Sequence, residues 1–162
     1  MKKRLNLKNI KNLLKLDNLN KLGGTIQLIS LLLPTFIIST TIHDTSGFII
    51  IWLFGLAIIN FNHLNIFGIY FMPDSFFTGL ILTLLLLYLG IISIRREPSE
   101  LKYIGILSIV LIVSYYVGLY LFYTITQSTF NFIKLNILVI PFIGFFGIII
   151  GALLVVYKSI KS

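Results

Sequence analysis

The chain has 162 residues, of which 57% are hydrophobic and 11% charged, with a mean hydropathy of +1.01. Soluble domains are about 25% charged, so this chain lacks the polar surface to cover a core in water, and disorder, which needs low hydrophobicity and high charge, is excluded too. It reads as one membrane-embedded domain with a net charge of +8 and without cysteine for disulfides, thiol chemistry or Cys-ligated metal.

Residues 1–23 hold seven of the thirteen Lys and Arg. Leu7, Ile10 and Leu14 recur at helical spacing, so the segment reads as a basic amphipathic cytoplasmic helix lying on anionic headgroups. Lys2, Lys3, Arg4, Lys8, Lys11 and Lys15 are its candidate lipid contacts, each worth about 1 kcal/mol near such a surface. No aromatic or Arg-rich reading surface accompanies the charge, so nucleic acid is not the expected partner.

Residues 24–162 read as a four-span membrane domain. A spanning helix needs about 20 mainly apolar residues, and 24–42, 76–94, 103–125 and 137–157 qualify, none containing Asp, Glu, Lys, Arg or His. The apolar run 48–59 is too short to cross. Four spans with the N-terminus inside put twelve of the thirteen basic residues on the cytoplasmic side and leave Lys134 outside. A fifth span would scatter them, so the positive-inside rule selects four, with both termini cytoplasmic. No small-residue cleavage site follows the first span, so 24–42 reads as a retained anchor in the plasma membrane.

The expected fold is an all-α four-helix transmembrane bundle with a small outer cap in the loop 43–75. Pro34 favours ending the first helix. The β-branched stretches on either side of the polar turn His43-Asp44-Thr45-Ser46-Gly47 suggest a β-hairpin over 35–52. The competing reading keeps the first helix intact to Ile42 and makes 48–59 a re-entrant half-helix. Trp52 and Phe54 are the candidate cap contacts, and residues 60–74 read as a polar-aromatic loop.

Gly23-Gly24 and Leu33-Pro34 bracket the first span, and Trp52 and Gly55 follow in the outer loop. In this the chain resembles prokaryotic four-span membrane proteins of unassigned role, and its layout is similar to that of claudin-like tetraspan proteins. The resemblance implies four helices, both termini inside and strands in the first outer loop. The claudin loop also carries a Gly-Leu-Trp and two cysteines. This chain has Trp52-Leu53-Phe54-Gly55-Leu56 and no cysteine, so neither the disulfide nor a junction-forming role is implied.

Chemistry finds little foothold. An ion-coupled carrier places an ionisable group within the bilayer, and the four spans have none. His43, Asp44, His63 and Asp74 match no metal-ligand spacing, and no Gly-x-Ser-x-Gly occurs. No cofactor is expected. Ser30, Thr83, Ser108 and Ser114 suit helix packing, and Gly144, Gly147 and Gly151 form a small-residue face for packing within the bundle or against a second copy. Tyr116, Tyr120 and Tyr123 share one face of the third span as an aromatic anchor. The expected function is a non-enzymatic structural, partner-binding or assembly subunit, whose partner is a membrane protein or a second copy. The alternatives are a small permease or channel-like protein for a neutral or lipidic solute, which a water-filled cavity lined by Gln27, Ser30, Thr83, Ser114 and Tyr116 would favour, and a membrane enzyme acting on lipid at the outer loop.

Overall fold

The computed structural model describes residues 18–42, 45–61, 66–71, 73–95, 98–129 and 136–161. The basic residues from Lys2 to Lys15, and His43, Asp44, His63 and Lys134, lie outside the described residues, as does the side chain of Asp74. In chain order the elements are α1 (Leu19–Ser30), β1 (Phe36–Ile42), β2 (Thr45–Ile51), β3 (Leu56–Phe61), β4 (Ile66–Phe71), α2 (Pro73–Arg95), α3 (Pro98–Thr129), β5 (Asn136–Pro141) and α4 (Ile143–Lys161). The strands form one antiparallel sheet in the order β4-β3-β2-β1-β5.

Three helices, α2, α3 and α4, are long and apolar enough to cross a membrane. The stretch 24–42 is not a spanning helix. The α1 helix has 12 residues, its last turn closes with Leu32 N–H donating to Ile29 O and Leu33 N–H to Ser30 O, and Pro34 stops it. The chain then leaves as β1. The apolar stretch 137–157 divides likewise into β5 and the greater part of α4.

The expected small hairpin cap is corrected to a five-stranded sheet, and the all-α class to helices plus sheet. The first hairpin is present, with Phe36 opposite Ile51 and Ile42 opposite Thr45. The run 48–59 is strand, turn and strand rather than a re-entrant helix. Leu53, Phe54 and Gly55 connect β2 to β3, with Trp52 N–H donating to Leu56 O at 2.9 Å and Gly55 N–H to Trp52 O at 3.0 Å. Gly55 has φ 87°, the left-handed residue that a three-residue connection with a G1 bulge requires. The loop expected over 60–74 instead contains β4 and the start of α2.

Helix packing depends on glycine. A Cβ at Gly23 would lie 2.5 Å from Gly151 O, and one at Gly24 would lie 2.8 Å from Gly90 O, so α1 touches α4 and α2 backbone to backbone. Gly105 makes the equivalent approach from α3 to α4 at Ala152 O, 2.8 Å. These contacts, with Asn20 Nδ2 donating to Ser93 O at 3.3 Å, gather the start of α1, the end of α2, the start of α3 and the end of α4 at one end. Lys21, Arg95, Glu100, Lys102, Lys158 and Lys161 all sit in those terminal turns. The sheet occupies the opposite end.

One face of the sheet packs on the C-terminal half of α3. Phe36, fully buried, stacks on Tyr116 with ring centroids 5.9 Å apart and 14° between planes, and meets Tyr115 and Phe145 at 5.9 and 5.8 Å. Ile38, Ile49, Ile51, Ala57 and Val139 complete that face against Leu82, Leu86 and Ile112. The loop residue Leu53 is also fully buried, with its carbonyl against Gly79 of α2.

The glycine contacts predict a selective sensitivity. Gly151→Leu drives a side chain into Gly23 and Gln27 and is expected to cost about 1–3 kcal/mol, read as a lowered thermal midpoint in detergent. Gly118→Ala, where nothing lies within 4 Å of the added carbon, is expected to hold or raise that midpoint, since Ala is favoured over Gly in a helix by about 1 kcal/mol.

Candidate functional site

The sheet face turned away from α3 is the candidate site, and the strand register builds it in rungs. Ile37 pairs with Ile50 and with Ile140, Ile50 with Ile58, and Ile58 with Ile69, so one rung is isoleucine on all five strands. The next is Leu138, Ser39, Phe48, Asn60 and Phe67. In the third, Thr41 pairs with Ser46 and with Asn136. The face therefore grades from wholly apolar beside the helices, through aromatic and polar, to polar at its far end. A shallow pocket of about 200 Å³ opens among Ser39, Ser46, Phe48 and Asn60. Two hydroxyls and an amide line it without a charge, chemistry suited to a neutral polar group such as an ester or hydroxyl.

The two edges of the sheet differ. Phe142 N–H donates to Thr35 O at 2.8 Å, which sets the alternation and turns the backbone groups of Ile137, Val139 and Pro141 outward. Ile137 N–H donates to Gln127 Oε1 and Val139 O accepts from the Tyr116 hydroxyl, both at 3.4 Å, and Pro141 has no N–H. The β5 edge is thus dressed by α3 and by proline. At the other edge, the Trp52–Leu56 bond sets the phase so that Phe67 and Ile69 present their backbone groups outward. Their side chains are 74% and 68% exposed, and Tyr70 on the opposite face is 45% exposed. This edge carries neither Lys nor Pro within Ile66–Phe71, the usual guards of an open strand.

Several residues singled out from the sequence take other places. Trp52 is half-buried and its Nε1–H donates to Leu32 O at 3.1 Å, tying the β2–β3 connection to the end of α1. Phe54 is half-buried in that connection. Gly144 lies against Leu33, Pro34 and Ser30 carbonyls, Gly147 against Ser30 Oγ, and Gly151 against Gly23 and Gln27, so all three face α1. The residues of the suggested permeation cavity do not converge. Ser30 and Thr83 bond back to Ile26 O and Gly79 O, Ser114 is exposed, and Tyr116 lies under the sheet. Tyr116 and Tyr123 pack toward the sheet and Tyr120 faces outward.

Sequence reasoning missed the isoleucine rung and the Ser39–Ser46–Asn60 pocket. The usable signal was the series of short β-branched runs separated by turn residues at regular spacing. No protein-family model, curated protein or solved structure matches this chain.

Gln27 is 2% exposed, and both amide atoms lack a hydrogen-bond partner. Replacing a buried, unsatisfied polar group by an apolar one of similar shape removes a desolvation cost of about 1–3 kcal/mol. Gln27→Leu is therefore expected to raise the thermal midpoint in detergent. A lowered midpoint would show that the amide holds a bound polar group.

Proposed function

We propose that this chain is a multi-pass protein of the plasma membrane, with both termini cytoplasmic. Its four helices serve as an anchor that holds the sheet on the outer side as a docking element for a partner protein. The role is non-enzymatic: a structural or assembly subunit. Membrane insertion is supported by the three apolar helices and by the character of α1. Its buried residues are Asn20, Gly23, Gly24, Gln27 and Ser30 beside Leu19, while Ile29 is exposed, so small and polar residues turn inward as in helices packed within a bilayer. On this reading α1 completes the fourth crossing together with the residues that follow it into β1. The cationic terminal turns support that end as the cytoplasmic side, where anionic headgroups would be the partners.

The observation that carries the docking role is β4. The strands β1, β2 and β5 are covered by helices on one face, whereas β4 exposes side chains on both faces and an undressed edge. An extended segment of a partner adds to such an edge through main-chain hydrogen bonds, with alternate side chains giving specificity. Gly144, Gly147 and Gly151 are engaged by α1, so a second copy would meet α4 on its other side, along Ile143, Phe146, Ile150 and Leu153, all exposed.

Two measurements test this. Because the chain is free of cysteine, Ser46→Cys and Lys161→Cys report topology directly in intact cells. Ser46→Cys is expected to react with a membrane-impermeant maleimide from outside, and Lys161→Cys only after permeabilisation. Equal labelling of both would overturn the orientation. A photo-crosslinking residue at Ile69 is expected to give one discrete protein adduct in the native membrane, abolished by Phe67→Pro. Adducts to lipid and to the chain itself alone would sink the partner-docking role.

A further inference from the structure

We propose that the β1–β5 half of the sheet is seated in the outer leaflet, with its outward face serving as a lipid site. Acyl chains pack on the isoleucine rung, and the ester region of the lipid meets Ser39 and Asn60 on the membrane side of the pocket, whose Ser46 side opens to water. This rests on the membrane reading above and goes further, because it places an open sheet partly within the hydrocarbon and names what covers its apolar face.

The first support is length. Phe142, bonded to Thr35 at the foot of the sheet, is sixteen residues from Lys158 along α4. Gly79, under Leu53, is sixteen residues from Arg95 along α2. At 1.5 Å per residue both helical paths measure about 24 Å. The hydrocarbon is about 30 Å thick, so the two paths leave about 6 Å to be filled from above, and any helix tilt enlarges the gap. Strands rise about 3.3 Å per residue. The first two residues of the sheet therefore lie within the hydrocarbon, a depth that takes in Ile37 and Ile140.

The second support is composition against height. On β1 and β5 the isoleucines of the rung, Ile37 and Ile140, fall at hydrocarbon depth. The rung with Phe48 and Phe67 beside Ser39 and Asn60 falls at the interface, and the rung of Thr41 and Ser46 falls in water. A face made for a protein partner has no reason to grade in this direction. Leu138, 55% exposed, and Ile140, 40% exposed, are followed along the chain by the exposed Ile143 and Phe146 of α4.

The third support is the edges. Exposed backbone N–H and C=O groups are costly in hydrocarbon, where open sheet edges do not occur. On β5 the Ile137 N–H meets Gln127, the Val139 carbonyl meets Tyr116, and Pro141 has no N–H to leave open. The bare edge belongs to β4, three strands away from β1 and outside the seated half. By register β4 ends at Phe71 beside Leu56. The edge of the seated half is the dressed one.

The test uses the full chain in phospholipid nanodiscs, with a nitroxide on Ile140→Cys, Leu138→Cys, Ser46→Cys or Ile150→Cys. Labels at Ile140 and Leu138 are expected to collide readily with oxygen. Their collision with a water-soluble nickel chelate is expected to be several-fold below that at Ser46, with Ile140 the more shielded. Nickel accessibility equal to that at Ser46 would place the sheet in water and overturn the proposal. Shielding from both reagents would mean that protein covers the face, which also overturns it. Ile150, midway along α4, separates this from the membrane reading, since that reading fails only if Ile150 is itself nickel-accessible. The single tryptophan gives a second measurement on the unmodified chain. Trp52, at the foot of the sheet, is expected to be quenched by lipids brominated on the acyl chain and spared by aqueous iodide. The opposite pattern overturns the seating.

Discussion

Two glycine approaches, Gly23 to Gly151 and Gly24 to Gly90, govern how this chain is put together. Lipid tails are as apolar as leucine, so helices in a bilayer gain little from hiding hydrophobic surface. They associate through close backbone packing and polar contacts. The α1 helix is built for that regime, with its glycines, Asn20, Gln27 and Ser30 turned inward. Consecutive glycines let it touch a helix on each side. Because α1 is held so closely, the exit at Pro34 is held as well, and β1 starts from a fixed point between β2 and β5.

From there Phe36 carries the constraint into the sheet. Its ring is packed among Tyr115, Tyr116 and Phe145, so one buried residue joins β1 to both α3 and α4. Tyr116 then does a second task through its hydroxyl, which donates to Val139 O. The same tyrosine stabilises the core by stacking and the sheet margin by hydrogen bonding. Gln27 runs the other way, since its packing against Gly151 leaves both amide atoms without partners. Close approach of α1 and α4 is thus gained alongside a local electrostatic cost.

Helices α2 and α3 were legible because 76–94 and 103–125 are long, apolar and free of charge, and the structure only extends them. Pro34 and the polar turn at 43–47 announced the first hairpin. The remaining strands were hidden by their own composition. A half-buried strand shows a period of two because one face is wet, but Ile49–Ile50–Ile51 and Ala57–Ile58–Ile59 are apolar on both faces. Residues 137–141 merge without a break into the apolar helix that follows. In the candidate site, Trp52 stood out as an unusual residue type, whereas the isoleucine rung is made of one of the two commonest apolar residues and exists only through register.

That doubly apolar sheet is what most needs a physical account. In water its outward face would be an aggregation surface and β4 an open template for pairing. The hazard is lower on a chain anchored in a bilayer, where lipid covers the lower part of the face and the anchor fixes each sheet along the membrane normal. Two copies in one membrane share their up-down orientation. If the strands follow the normal, as the continuation of α1 into β1 and of β5 into α4 suggests, their β4 strands run in the same direction. Antiparallel self-pairing is then denied to them, while an extended segment of another protein can approach in either sense. Dressing β5 and leaving β4 bare therefore has a consistent logic. On the proposed seating the β5 edge is met from inside the chain, and the bare β4 edge is left for an added strand, which a second copy could supply only in the parallel sense.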